Sequence, residues 1–294
     1  MNIIGRRKIF LTLSGLLVIA SVAAIGFLGL KQGIDFTGGA LWQIKLAPTV
    51  TVGQLRSFIA SDLELTDFTV VAESTSGSFV VRLPETDEAL HRSYSDKLKK
   101  GIGDFEELRF ESIGPLIGKE LRKRAIWAFV LVLLTIALYI IFAFRKVSYP
   151  VSSWQYGIIT LVTLFHDAII PLGLMAVLGR WLGIEAGINL VVAILVVIGF
   201  SVHDTIVVLD RTRENLKKGK AGSDFASLVN DSVNQTFARS INTSLTLIFM
   251  LLALYFLGPA ALSYFVLVIL VGTIIGTYSS ICVASSLLVV WQKD

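Results

Sequence analysis

Long, almost uncharged apolar stretches dominate the chain and are interrupted by one charge-dense stretch. A helix needs about 20 mostly apolar residues to cross a bilayer. Five or six segments reach that length: Ile9 to Leu30, Arg124 to Phe144, Tyr156 to Leu178, Gly187 to Leu209, Ile241 to Leu257 and Leu262 to Trp291. The last is long enough to tilt or to end along the interface. Pro171 predicts a kink in the third span, and Pro259 belongs to a tight turn between the fifth and sixth.

The stretch between the first two spans has shorter periods. Ala40 to Leu46 reads as a strand, and Val52, Leu55, Phe58, Ile59 and Leu63 then recur at helical spacing after Thr51, an N-cap. Asp67 to Glu73 is a second strand, and Phe79, Val81 and Leu83 alternate with Ser78, Val80 and Arg82 in a third. Thr86 opens a helix through Lys100, and Phe105 to Ile113 closes the set. Strand, helix, strand, strand, helix, strand is the split βαβ, ferredoxin-like order. The predicted fold class is an α-helical polytopic membrane protein with six spans and a small α+β ferredoxin-like extracytoplasmic domain between spans one and two. That domain is either a spacer or a binding unit with an open strand edge.

Composition agrees: 54% of the 294 residues are hydrophobic and 16% charged, against about a quarter charged in soluble domains. A formal net charge of +4 on so apolar a chain argues against a nucleic-acid partner. One cysteine, Cys282, excludes an internal disulfide, and three histidines, His91, His166 and His203, argue against a metal cluster. No nucleophile arrangement or phosphate-binding glycine loop is present, so the reading is a non-enzyme that calls for no cofactor or metal.

Arg6, Arg7 and Lys8 give the first span a signal-peptide look, and Ser21-Val22-Ala23-Ala24 mimics a cleavage region. The apolar run is longer than a signal core and more spans follow, so it reads as a retained anchor. Those three cations, Arg145 and Lys146, and the cluster Arg211, Arg213, Lys217, Lys218 and Lys220 place both termini in the cytoplasm by the positive-inside rule. Lys119, Arg122, Lys123 and Arg124 oppose this, but they close a long translocated region, where the rule is weak. The resulting division has spans at 9–30, 124–144, 156–178, 187–209, 241–257 and 262–291. The segments 1–8, 145–155, 210–240 and 292–294 are cytoplasmic, and 31–123, 179–186 and 258–261 lie outside. Within 210–240, Phe225, Leu228, Val229 and Val233 recur at roughly helical spacing, suited to a membrane surface or a partner.

Charge inside hydrocarbon needs a partner, water or a function. His166 and Asp167 fall in span three, His203 and Asp204 in span four, and Arg239 at the start of span five. Asp204 and Arg239 can reach similar depth, as a switchable pair in which protonating the carboxylate releases the arginine, or as a fixed bridge that sets helix register. The histidines either handle protons or hydrogen-bond locally. Gly272, Gly276 and Ser280 form one small-residue stripe for helix packing.

These residues also carry a resemblance. Gly33-Ile34-Asp35-Phe36-Thr37-Gly38-Gly39, Glu111 to Pro115 with Gly118, His166-Asp167, Gly199 to Val208 with Asp210-Arg211 and Arg213-Glu214-Asn215, and Gly276 to Ser280 resemble signatures of the SecD/SecF family, within the resistance-nodulation-division superfamily. Asp35, Phe36, Thr37, Gly38 and Gly39 match its signature outside the membrane. The resemblance implies a subunit that pairs with SecD beside the SecYEG translocon. It would use the proton motive force to export unfolded preproteins across the bacterial inner membrane, with YajC, the insertase YidC and membrane lipids as further neighbours. It also implies that Asp204 and Arg239 belong to the ion path. His203 stands where the family pattern has asparagine, and Ser240 where it has threonine. The other classes open to these residues are a small-molecule or lipid exporter and a passive assembly scaffold.

Overall fold

The computed structural model describes residues 1–73, 77–145, 151–218, 224–259 and 262–292. Lys146, Lys220 and the end of the 258–261 turn lie outside the described residues. The chain divides into two units, one of Met1–Lys31 with Trp127–Asp294 and one of Gln32–Ile126.

In the first unit a 3₁₀ turn, Ile4–Arg6, leads into α1 (Arg7–Leu28). The other long helices are α5 (Pro115–Ala143), which carries the unit boundary, α6 (Ser153–Leu182), α7 (Ile188–Lys217) and α8 (Phe225–Leu257). The last apolar segment is α9 (Ser263–Tyr278), a π-helical turn (Ser279–Ala284) and α10 (Ser285–Trp291). Among the described residues six helices of 25 to 33 residues are long and apolar enough to cross a membrane. Burial is uneven. Of the apolar stretches, 56% of α6 and 67% of the final segment lie inside the bundle, against 11% of α1 and 11% of α5. Asp167 and the serine pair Ser279 and Ser280 sit on the two most buried of these segments. The poorly buried ones present Leu16, Ile19, Leu131 and Leu138 outward, a face that suits acyl chains.

Helix ends depart from the sequence reading where local packing continues a helix past the hydrocarbon. The apolar positions ahead of span five belong to α8 itself: Val229 and Val233 are buried in one cluster with Ile3 and Ile4, and Leu228 is buried beside them in sequence. The segment therefore docks on its own chain. Asn230 holds it there, its Oδ1 accepting the N–H groups of Ile3 at 2.9 Å and Ile4 at 3.2 Å while its Nδ2 donates to the Met1 carbonyl at 3.0 Å. Asn215 Nδ2 donates to Ser232 Oγ at 2.8 Å and joins α7 to the same stretch. α6 runs through Pro171 without interruption.

In the second unit a short helix, α2 (Ile34–Thr37), precedes β1 (Gly39–Lys45), α3 (Val52–Ser61), β2 (Thr69–Glu73), β3 (Ser78–Leu83), α4 (Glu88–Gly101) and β4 (Glu106–Ile113). The antiparallel sheet has the order β2-β3-β1-β4, with Ala40 opposite Leu83 and Ser112, and Val70 opposite Val81. Period-two alternation buries Ala40, Trp42 and Ile44 on β1 and Val81 and Leu83 on β3 against Leu55, Phe58 and Ile59 of α3 and Leu98 of α4. Thr51 caps α3 in a capping box: Gln54 N–H donates to its Oγ1 at 3.3 Å, and its own N–H donates to Gln54 Oε1 at 2.8 Å. The cap of α4 is one residue beyond the expected start, because Asp87 Oδ1 accepts the Leu90 N–H at 2.8 Å while Thr86 Oγ1 turns to the Pro84 carbonyl. His91 is a bonded core residue, 2.8 Å from Glu107 Oε2 and stacked on Phe110.

The Asp-Phe-Thr-Gly-Gly segment closes this unit. Gly38 and Gly39 have φ of +78° and +111°, and a Cβ on Gly38 would lie 2.7 Å from the Pro115 Cα, one on Gly39 2.9 Å from the Leu83 carbonyl oxygen. Backbone there touches backbone, which only glycine permits. Gly38→Ala is expected to destabilise the chain by about 1–3 kcal/mol, read as denaturant or thermal unfolding of the full chain. Gly15→Ala, where a Cβ meets nothing within 4 Å, is the control, and equal stability of the two variants would contradict the reading.

Candidate functional site

The buried ionisable residues of the bundle gather around the π-helical turn. Asp167 of α6 is fully buried, and His166 beside it is 4% exposed. Asp167 Oδ1 lies 2.8 Å from His166 Nδ1, and its Oδ2 accepts from Ser201 Oγ of α7 and from Ser279 Oγ of the π turn, the latter at 2.6 Å. Three polar side chains from α6, α7 and the π turn thus surround one carboxyl group. The other ring nitrogen of His166, Nε2, is buried without a hydrogen-bond partner among the described residues.

Asp204 of α7 is 5% exposed and accepts from Ser280 Oγ, the residue next to Ser279. Two consecutive hydroxyls on one backbone turn thus reach carboxylates on two different helices. Thr277 extends the cluster to α8: its Oγ1 lies 2.5 Å from Ser244 Oγ, and Ser244 donates to the Ser240 carbonyl. Tyr278 turns to α1, its hydroxyl donating to the Phe10 carbonyl at 3.0 Å and accepting from Ser14 Oγ.

Close helix contact makes this reach possible. A Cβ on Gly272 would stand 2.3 Å from Val197 Cγ2, and one on Gly276 3.0 Å from the Ser201 Cβ. The small-residue stripe therefore sets α9 directly on α7, and Ser280 at its end is a carboxylate ligand as well as a packing residue. The other predicted residues lie elsewhere. His203, about 100° around α7 from buried Asp204, is exposed, and Arg239 is exposed on α8. Among the described residues the Arg239 side chain has no hydrogen bond or ion pair, so this structure does not join it to Asp204. Asp35 to Gly39 belong to the second unit, as above. Sequence reasoning missed Ser201, Ser279 and the π turn. The signal available was the serine pair in a span otherwise almost purely apolar.

Six apolar helices with paired carboxylates, a histidine and hydroxyls buried in their bundle define a multi-pass membrane protein with an ionisable centre. Comparison narrows this. Residues 93–294 match the model "Protein export membrane protein SecD/SecF, C-terminal" and residues 23–50 match "SecD/SecF GG Motif". The chain is 42% identical to the protein translocase subunit SecF of Thermobaculum terrenum, over 99% of this chain and 94% of that one, and 35% identical to the SecF of Anaerolinea thermophila, over 100% and 94%. The crystal structure of SecDF from Thermus thermophilus, a translocon-associated membrane protein, superposes with a TM-score of 0.84 at 34% identity, covering 99% of this chain and 38% of that one. The chain belongs to the SecD/SecF family.

Gly272→Ala is expected to force α9 away from α7 and lower stability by about 1–3 kcal/mol. Val197→Ala in the same chain, which removes the opposing methyl groups, should return part of that loss in a thermal-unfolding double-mutant cycle. Strict additivity of the two changes would contradict the contact.

Proposed function

We propose that the chain is an accessory subunit of Sec protein translocation that works with SecD and uses the proton motive force to complete export of preproteins through SecYEG. The observation that carries the ion-coupling part is Asp204, a carboxylate buried among apolar helices whose one bonded partner among the described residues is a hydroxyl. Such a group can take up and release a proton, where a carboxylate locked to a guanidinium is held ionised. Asp167 with His166 is a second group of the same kind. A charge crossing the membrane supplies about 2.3 kcal/mol per 100 mV, enough to bias a two-state element though too little to unfold a stable protein.

Arg239 and His203 take their roles at a subunit boundary in this reading. Arg239, Asn242, Thr243 and Thr246 form an exposed polar stripe on α8, and exposed polar groups on a spanning helix are costly against lipid. SecD helices covering that face would bring the arginine into the ion path from outside this bundle. The Thermus relative, SecDF, is about two and a half times the length this chain covers, consistent with the SecD-like portion joined to the SecF-like one. The second unit, ferredoxin-like in its order of strands, lies on the extracytoplasmic side, with both termini in the cytoplasm. YajC, YidC and membrane lipids are the remaining neighbours.

Asp204→Asn in vesicles carrying the whole machinery is expected to lower gradient-stimulated export at least tenfold while the complex still assembles, and unchanged stimulation would overturn the coupling role. A membrane-impermeant label at Lys100→Cys, an exposed position, in intact spheroplasts with Cys282→Ser as background is expected to react from outside. Labelling only after the membrane is opened would reverse the topology.

A further inference from the structure

Ser279 and Ser280 each have one hydroxyl proton and two acceptors in reach. Ser279 Oγ is 2.6 Å from Asp167 Oδ2 and 3.0 Å from the Gly276 carbonyl oxygen. Ser280 Oγ bonds Asp204 Oδ2 and is 3.0 Å from the Thr277 carbonyl oxygen. An ionised carboxylate only accepts, so the serine proton points to it. A protonated carboxyl has a donor of its own, can donate to the serine oxygen, and leaves the serine proton to the backbone carbonyl. The direction of each hydroxyl thus reports the charge of its carboxylate. Both carbonyls belong to the last turn of α9, where the α-helix gives way to the π turn, a rare local form concentrated at functional sites.

We propose that Ser279 and Ser280 are positioning residues that couple the proton occupancy of Asp167 to that of Asp204, the π turn being the shared backbone through which one carboxylate senses the other. This rests on the proton-handling reading of the two carboxylates and adds the element that makes them one unit. Nearest the two carboxylates and the turn along their own elements are His166 on α6, His203 on the exposed side of α7, and Tyr278 and Cys282 on the last segment. The packed helices also carry Tyr156 and Arg180 on α6, Asp210, Arg211, Arg213, Glu214 and Lys217 on α7, Arg7 and Lys8 at the start of α1, Asp231, Arg239 and Tyr255 on α8, and Tyr264 on α9. Of these only His166 is bonded to either carboxylate. Ser201, which bonds Asp167 from α7, and Thr277, which ties the turn to Ser244 of α8, are the routes by which a change at the turn reaches the neighbouring helices.

The test is infrared titration of the carboxyl C=O bands of the full chain in lipid vesicles, at equal pH on both sides, with no partner, preprotein or potential. Asp167→Asn and Asp204→Asn assign the two bands. Ser280→Ala should move the Asp204 band to higher frequency and raise its proton affinity about tenfold, the effect of losing one hydrogen bond to the charged form. Ser280→Cys, with a weaker donor of similar size, should fall between. Asp204→Asn should shift the Asp167 midpoint in the native background and leave it unmoved in Ser279→Ala. The proposal is overturned if the Asp204 band ignores Ser280→Ala, if Asp204→Asn never shifts the Asp167 midpoint, or if that shift survives in Ser279→Ala, which would make the coupling a direct field between carboxylates. Coupled bands in a chain whose Asp204→Asn variant exports normally would refute the export reading and leave this coupling standing.

Discussion

A carboxylate in hydrocarbon must be surrounded by donors or be neutral, and the bundle is organised by that requirement. Asp167 sits on α6 and Asp204 on α7, and each is met by a hydroxyl from the π turn of the final span. The donors arrive only because α9 lies on α7 at glycine distance, Gly272 against Val197 and Gly276 against Ser201. The same Ser201 then bonds Asp167 across to α6. Helix packing and carboxylate solvation are therefore one interaction network: a side chain added to the stripe would separate the helices and withdraw the hydroxyls together.

Much of this was legible before any coordinates. The apolar runs gave six spans, period-two and helical spacing gave the order of strands and helices around β1 to β4, and Thr51 was visible as a cap because it stands directly ahead of the helical run from Val52 to Leu63. Asp204 stood out because charge inside an apolar run is expensive. What sequence could not provide was direction within a helix and contact across helices. His203 and Asp204 are neighbours in sequence, yet a rotation of about 100° per residue puts the aspartate inside and the histidine outside. Arg239, expected at the depth of Asp204, is exposed on α8. The π turn has no composition of its own, so Ser280 reads as a small packing residue and Ser279 only as part of the Gly276 to Ser280 signature. The docked start of α8 was hidden because its apolar stripe suits a membrane surface as well as the bundle, and Asn230, which decides between them, bonds residues more than 220 positions away.

Membership of the SecD/SecF family gives these features a common purpose. In the proposed function the interior carboxylates are the proton-exchanging groups, the exposed Arg239 and His203 face a second subunit, and the strand-rich unit is the part outside the membrane. A bundle whose carboxylates are satisfied by hydroxyls rather than by fixed cations can change its proton load without leaving a buried charge unpaired, because serine serves as donor to the ionised form and acceptor to the neutral one. That is the property a proton-driven subunit needs, and a passive scaffold would gain nothing from it.

Proton flux tests the central claim most directly. In vesicles containing this chain with SecD, an imposed inside-negative potential should drive proton uptake that disappears in Asp204→Asn and persists in His91→Ala, whose imidazole lies in the other unit. Equal uptake by the native chain and Asp204→Asn would contradict the account.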